Sequence, residues 1–221
     1  MDKKHSRNLI ISGTIYTVIL FLWPVFMFLS PGNAGSIEEQ LNALTKNSEF
    51  YSLNFIPASL IAPSAILLIS VISGLYKKES LGFFDTIGIV ILVAYSVLNS
   101  ISYISQYSIL SRLLEKKNIE AAKTWYFGNP DSLSYFLNQM GYCLFGIAVL
   151  LIFREFLKDK GLNKAVGILF YTSAVLSIIA FIGLLMQNNI LNAATVASGL
   201  LIVPVGILAI ITGAKDCGKH V

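Results

Sequence analysis

Nine polar side chains in two apolar stretches are the residues whose type and spacing invite chemistry. Tyr95, Asn99, Ser102 and Gln106 recur at intervals of four, three and four, which stacks their hydroxyl and amide groups on one face of a helix, with Tyr103 and Tyr107 beside them. Asn138, Gln139 and Tyr142 follow in the next apolar stretch. All are neutral near pH 7. They donate and accept hydrogen bonds, and so bind or orient a molecule, but they form no nucleophile–base pair.

The remaining chemistry-bearing residues narrow the field further. His5 and His220 lie in the terminal segments, and Cys143 and Cys217 fall toward opposite sides of the topology argued below. No metal or cofactor set and no disulfide is expected from them. No charged residue sits near the middle of any apolar stretch, which argues against proton-coupled pumping, voltage sensing and carboxylate-based ion coordination. Neither His-Glu-x-x-His, nor Gly-x-Ser-x-Gly, nor a Thr-Val-Gly-Tyr-Gly filter occurs. The protein is expected to be non-enzymatic.

The elements that must position these groups are set by composition. Of 221 residues, 55% are apolar and only 13% charged, against roughly a quarter charged in soluble domains. Residues 8–37, 50–76, 86–111, 132–153 and 165–214 contain no Asp, Glu, Lys or Arg. About 20 apolar residues cross a bilayer as a helix, so these stretches predict an all-α, polytopic transmembrane bundle in one domain. The last stretch is too long for one span and is broken by Gln187-Asn188-Asn189 and Asn192. Division there gives six spans, at about 8–30, 54–76, 82–107, 133–154, 164–186 and 190–214. Pro31-Gly32 is a stop signal for the first, and Asp131-Ser132 a capping start for the fourth. The first apolar segment is too long for a cleaved leader and is expected to remain as a span.

Six spans put both termini on one side, and that side carries 11 of the 16 basic residues. The positive-inside rule then predicts cytoplasmic termini in the cytoplasmic (inner) membrane, although Arg112, Lys116, Lys117 and Lys123 gather in one opposing loop. The same rule accounts for the net charge of +4 without nucleic acid as a partner. That loop continues the third helix pattern through Ser111–Lys117 and ends in Trp125-Tyr126-Phe127, which reads as an interfacial helix with an aromatic anchor or as a lid.

Lipid does not solvate the polar stripe, so it must face another helix or a wet cavity. Two readings stay open. The amides join helices 3 and 4, or they line an outward-opening pocket for a small neutral, zwitterionic or lipid-like molecule, with Tyr95, Asn99, Ser102, Tyr103, Gln106, Asn138, Gln139 and Tyr142 as ligand-binding residues. Gly199, Gly206 and Gly213, seven apart, form a small-residue stripe for packing within the protomer or in a dimer. Asp85 is expected to serve a helix dipole. Expected partners are membrane lipids, a small-molecule ligand, and a second copy or partner membrane protein. An accessory subunit of a membrane complex is the alternative function. Asn8 to Thr17 and Asn163 to Thr172 share an Asn-to-Tyr spacing of eight, so spans 1–2 and 5–6 read as candidate repeats.

Ser102-Tyr103-Ile104-Ser105-Gln106, Asn129-Pro130-Asp131-Ser132 with the residues up to Leu137, and Gly141-Tyr142 together resemble a pattern in prokaryotic multi-pass membrane proteins of unassigned activity. The resemblance covers helices 3 and 4 only. It implies a helical membrane fold and marks Tyr103, Gln106, Pro130, Gly141 and Tyr142 for test, but supplies no substrate.

Overall fold

The charge-free stretches form long helices because nothing inside them competes with the backbone ladder, and because a backbone in lipid must satisfy itself. A computed structural model describes residues 3–30, 35–46, 48–76, 82–158 and 160–217. Among them are α1 (Lys3–Leu29), α2 (Ile37–Leu44), α3 (Ser48–Tyr76), α4 (Phe83–Ser105), α5 (Ser111–Glu115), α6 (Ile119–Trp125), α7 (Leu133–Ile152), α8 (Gly161–Leu185), α9 (Asn189–Asn192) and α10 (Ala194–Cys217). Six helices are long and apolar enough to cross a membrane. The protein is an all-α helical bundle of the multi-pass membrane type.

The helix ends differ from the expected ones for local reasons. α1 begins at Lys3 and α3 at Ser48, several residues ahead of the apolar cores, because a helix continues beyond the hydrocarbon wherever its side chains find water or a neighbour. The third span runs on through a π-helical turn, Gln106–Leu110, into α5, whose Leu114 is buried. Ser132 caps α7 by accepting a hydrogen bond from the Tyr135 N–H at 3.1 Å. Asn188 caps α9, so the last long helix starts at Ala194 instead of 190. Pro31–Ala34, which holds the expected stop, lies outside the described residues. Asp85 meets its expected role: its carboxylate accepts from the Gly82 N–H at 3.1 Å in the first turn of α4.

Consecutive long helices pack side by side, α1 on α3, α3 on α4, α4 on α7, α7 on α8 and α8 on α10, and α10 returns to α1. The bundle is a closed ring. In lipid, helices gain little from hydrophobic burial against one another, so close van der Waals contact must hold them. At the α1–α10 seam, a Cβ on Gly13 would stand 2.9 Å from the Gly206 carbonyl oxygen. Only glycine permits that approach. Gly206 and Gly213 of the small-residue stripe both face α1, whereas Gly199 meets nothing within 4 Å. The outward faces are largely apolar: Val90, Val93, Val97, Ile101 and Ile104 of α4 are exposed while Leu92, Tyr95, Asn99 and Ser102 are buried. That pattern is inverted relative to a soluble helix and fits hydrocarbon as the solvent.

The centre of the ring is plugged. Tyr16, Leu68, Phe145, Phe170, Ile202 and Val205 meet there and leave no room for water. The candidate repeats make unlike contacts: Tyr16 sits in this plug, while Tyr171 donates to the Leu150 carbonyl at 3.0 Å.

Candidate functional site

Where α4 passes into the π turn, the polar stripe meets α7 and forms a buried network. Ser102 Oγ donates to the Ser134 carbonyl at 2.7 Å, and the Ser105 and Ser134 hydroxyls lie 2.8 Å apart. The Gln106 side chain is the hub. Its Nε2 lies 2.7 Å from the Trp125 carbonyl, 3.0 Å from Ser134 Oγ and 2.9 Å from Ser105 Oγ. Its Oε1 accepts from the Tyr51 hydroxyl at 2.8 Å and the Phe127 N–H at 3.0 Å. One amide thus joins α3, α4, α7 and the loop after α6.

The other predicted site residues are placed as follows. Asn99 Nδ2 donates to the Asn138 carbonyl at 3.3 Å, and both asparagine side-chain oxygens are buried without a partner. Tyr103 and Tyr142 bring their hydroxyls to 3.5 Å, and the Tyr95 ring packs against Tyr142 and Phe145. Gln139 turns to the next seam and accepts from Thr195 Oγ1 at 2.6 Å. Asn99 is 1% and Gln106 0% exposed, so the α4–α7 seam is a dry joint.

The open space lies on the other side of α4. A cavity of about 220 Å³ is enclosed by the C-terminal turns of α1 (Trp23, Met27, Ser30), the first turns of α3 (Tyr51, Asn54, Phe55), Tyr103 of α4, and Tyr126-Phe127-Gly128. Tyr103 alone of the eight predicted residues lines it. Asn54 is 6% exposed and its side chain makes no hydrogen bond among the described residues. Ser30 Oγ is likewise unpartnered. No described lining residue is charged.

Two short helices, α2 and α6, pack together as a cap behind Tyr126 of the cavity wall. α2 begins with a reciprocal capping box: Ser36 Oγ accepts from the Glu39 N–H at 3.3 Å, and the Glu39 carboxylate accepts from the Ser36 N–H at 2.7 Å. These bonds to the charged form hold the exposed Glu39 carboxyl below the usual range. α2 then offers Gln40, whose Oε1 accepts from the Tyr126 hydroxyl at 2.8 Å. Tyr126 is buried and the Phe127 ring packs on Phe55 and Tyr103, so both turn inward, as a lid does, and not toward lipid. The pair Lys123–Glu38, at 3.8 Å and half-exposed, contributes little to this closure.

No family model, curated protein or solved structure matches the chain.

Burial pushes the Tyr126 phenol up to about 12. The folded state therefore favours the protonated ring, and the stability this confers is complete below the ordinary tyrosine value of about 10 and lost as the pH rises toward 12. We expect protease sensitivity of the segment after α6 to rise through that window in the wild type. Tyr126→Phe should be looser at neutral pH and lack the added alkaline step; a wild-type profile flat to pH 12 would refute the coupling.

Chemically, the cavity offers aromatic surface with the Asn54 side chain at its wall; Asn54 Oδ1 and Ser30 Oγ, unpartnered among the described residues, lie just behind that surface. Among the described residues no group of His, Cys, Asp and Glu is arranged to hold a metal. Sequence reasoning missed Trp23, Met27, Ser30, Tyr51 and Phe55 as wall residues, and missed α2. The Ser36-x-x-Glu39 signature was the available signal for α2. Asn54 falls in the apolar stretch 50–76, and no sequence signal places it beside the end of α1.

Proposed function

We propose that the protein is a membrane-embedded binding protein for a small neutral, zwitterionic or lipid-like molecule, received in the cavity beneath the α2–α6 cap. The observation that carries this reading is the cavity with no charged residue in its described lining and with Asn54 at its wall, whose Oδ1 is buried and has no partner among the described residues. A buried amide without partners costs about 1–3 kcal/mol, which an occupant's own polar group offsets. At about 220 Å³ the space falls below the roughly 300–1,000 Å³ of drug-sized sites, which suits a headgroup or a small metabolite. The excess of basic residues at the opposite end supports a cap that faces outward from a cytoplasmic membrane. The likeness to prokaryotic multi-pass proteins is in keeping with that membrane. Passage across the bilayer would require the central plug of Tyr16, Phe145 and Phe170 to part, so binding is the primary role and transport a secondary one.

Native mass spectrometry in mild detergent tests the proposal. The wild type should retain a discrete small mass, and a folded Asn54→Leu variant should lose it, consistent with about tenfold weaker binding for one lost buried hydrogen bond. Equal retention by both proteins, or none by the wild type, would sink it.

A further inference from the structure

The walls of the cavity carry information on the charge of its occupant. Six of its ten lining residues are aromatic: Trp23, Tyr51, Phe55, Tyr103, Tyr126 and Phe127. The last five form one connected set, with ring centroids 4.8 Å apart for Tyr51–Phe55, 6.0 Å for Tyr51–Tyr126, 5.9 Å for Phe55–Tyr103 and 5.6 Å for Tyr103–Phe127. Aromatic faces carry partial negative charge, and several of them around one space attract a cation whose hydration shell has been removed.

The alternatives fit less well. An anion would meet π faces with no Lys or Arg in the lining to balance it. A sugar would need more partners than the Asn54 amide and the Ser30 hydroxyl provide. An acyl chain would leave that buried amide unpaired, at the cost stated above. A primary ammonium carries three donors and strong hydration, which ring faces replace poorly; alkylation removes both demands.

Resting on the binding reading above, we propose that the cavity receives an alkylated ammonium group of the choline type, its cation among the rings and its oxygen on Asn54. The same group reaches a membrane protein from two sources, as a free solute or as a lipid headgroup.

The chain has two tryptophans, and the backbone carbonyl of Trp125, not its ring, holds Gln106. Trp125→Phe therefore leaves Trp23, in the cavity wall, as the only indole emitter. Choline and tetramethylammonium should change its emission saturably, and 3,3-dimethylbutan-1-ol, the neutral carbon isostere of choline, should bind at least about tenfold more weakly. Adding Phe127→Leu should weaken choline several-fold more than the isostere. Equal affinity for choline and isostere, equal losses in the leucine variant, or no response to either cation would each overturn the ammonium assignment. The binding reading would still stand or fall on the retained mass and its loss in Asn54→Leu. Nanodiscs identify the source: a lipid headgroup abolishes the choline response in phosphatidylcholine and spares it in phosphatidylglycerol, whereas a free solute gives the same response in both.

Discussion

Gln106→Leu should lower the stability of the folded bundle by about 3 kcal/mol, read as a shift in reversible unfolding in mixed micelles. Polar contacts between membrane helices average only about 0.6 kcal/mol each, because the separated helices find other partners. Gln106 exceeds that average because its loss orphans the Tyr51 hydroxyl and the Phe127 N–H in a closed space, and each orphan costs about 1–3 kcal/mol. Asn99→Leu is the matched control. It removes one 3.3 Å bond and also removes an oxygen that has no partner, so it should cost less than about 1 kcal/mol. Similar costs for the two variants would show that Gln106 is not the hub described here.

The second large effect is expected at the seam that closes the ring. A side chain at Gly206 would overlap Thr17 Oγ1 and stand 3.1 Å from the Tyr16 ring. Gly206→Leu should cost about 3 kcal/mol, the upper end for overpacking, because the buried Tyr16 and the Thr17 side chain of α1 stand where the new atoms must go. Gly199→Leu, on the same helix face by sequence spacing, should change stability by no more than about 0.5 kcal/mol, since nothing lies within 4 Å. Thermal unfolding of both variants, with their masses in solution, checks the contrast. A Gly206→Leu protein as stable as the wild type would mean that α1 and α10 do not meet as drawn.

The helices were legible because lipid leaves the backbone one solution, and the absence of charge over residues 86–111 or 132–153 marks that solution directly. The dry seam was legible in part: a +4, +3, +4 stripe requires a partner, and the same stripe reads equally as a joint or as a pocket wall. Which it is depends on whether Gln106 finds Trp125 and Tyr51, residues 19 and 55 positions away, and no local pattern encodes that meeting. The cavity was less legible still. Nothing in the type or spacing of Trp23 and Met27 shows that they meet the start of α3 around a space. The π turn had no signature at all, yet within and just after it Tyr107 and Ser111 come near Ser59 and Ser52 of α3, at 3.4 Å each, while Ser102 and Ser105 before it serve α7.

The return of α10 to α1 also sets an order in time. α1 emerges from the ribosome first, with Ser6, Ser12, Gly13 and Tyr16 on a face that is buried in the finished protein. Part of its cover, Gly206, Ala209 and Gly213, is synthesised five spans later. Until then those groups wait in the bilayer with α3 as their neighbour, and the chain holds four seams of a circle whose last two both need α10. Closure is thus gated by the synthesis of α10, and a nascent chain halted after α8 would present to the quality-control machinery a face that the closed ring covers.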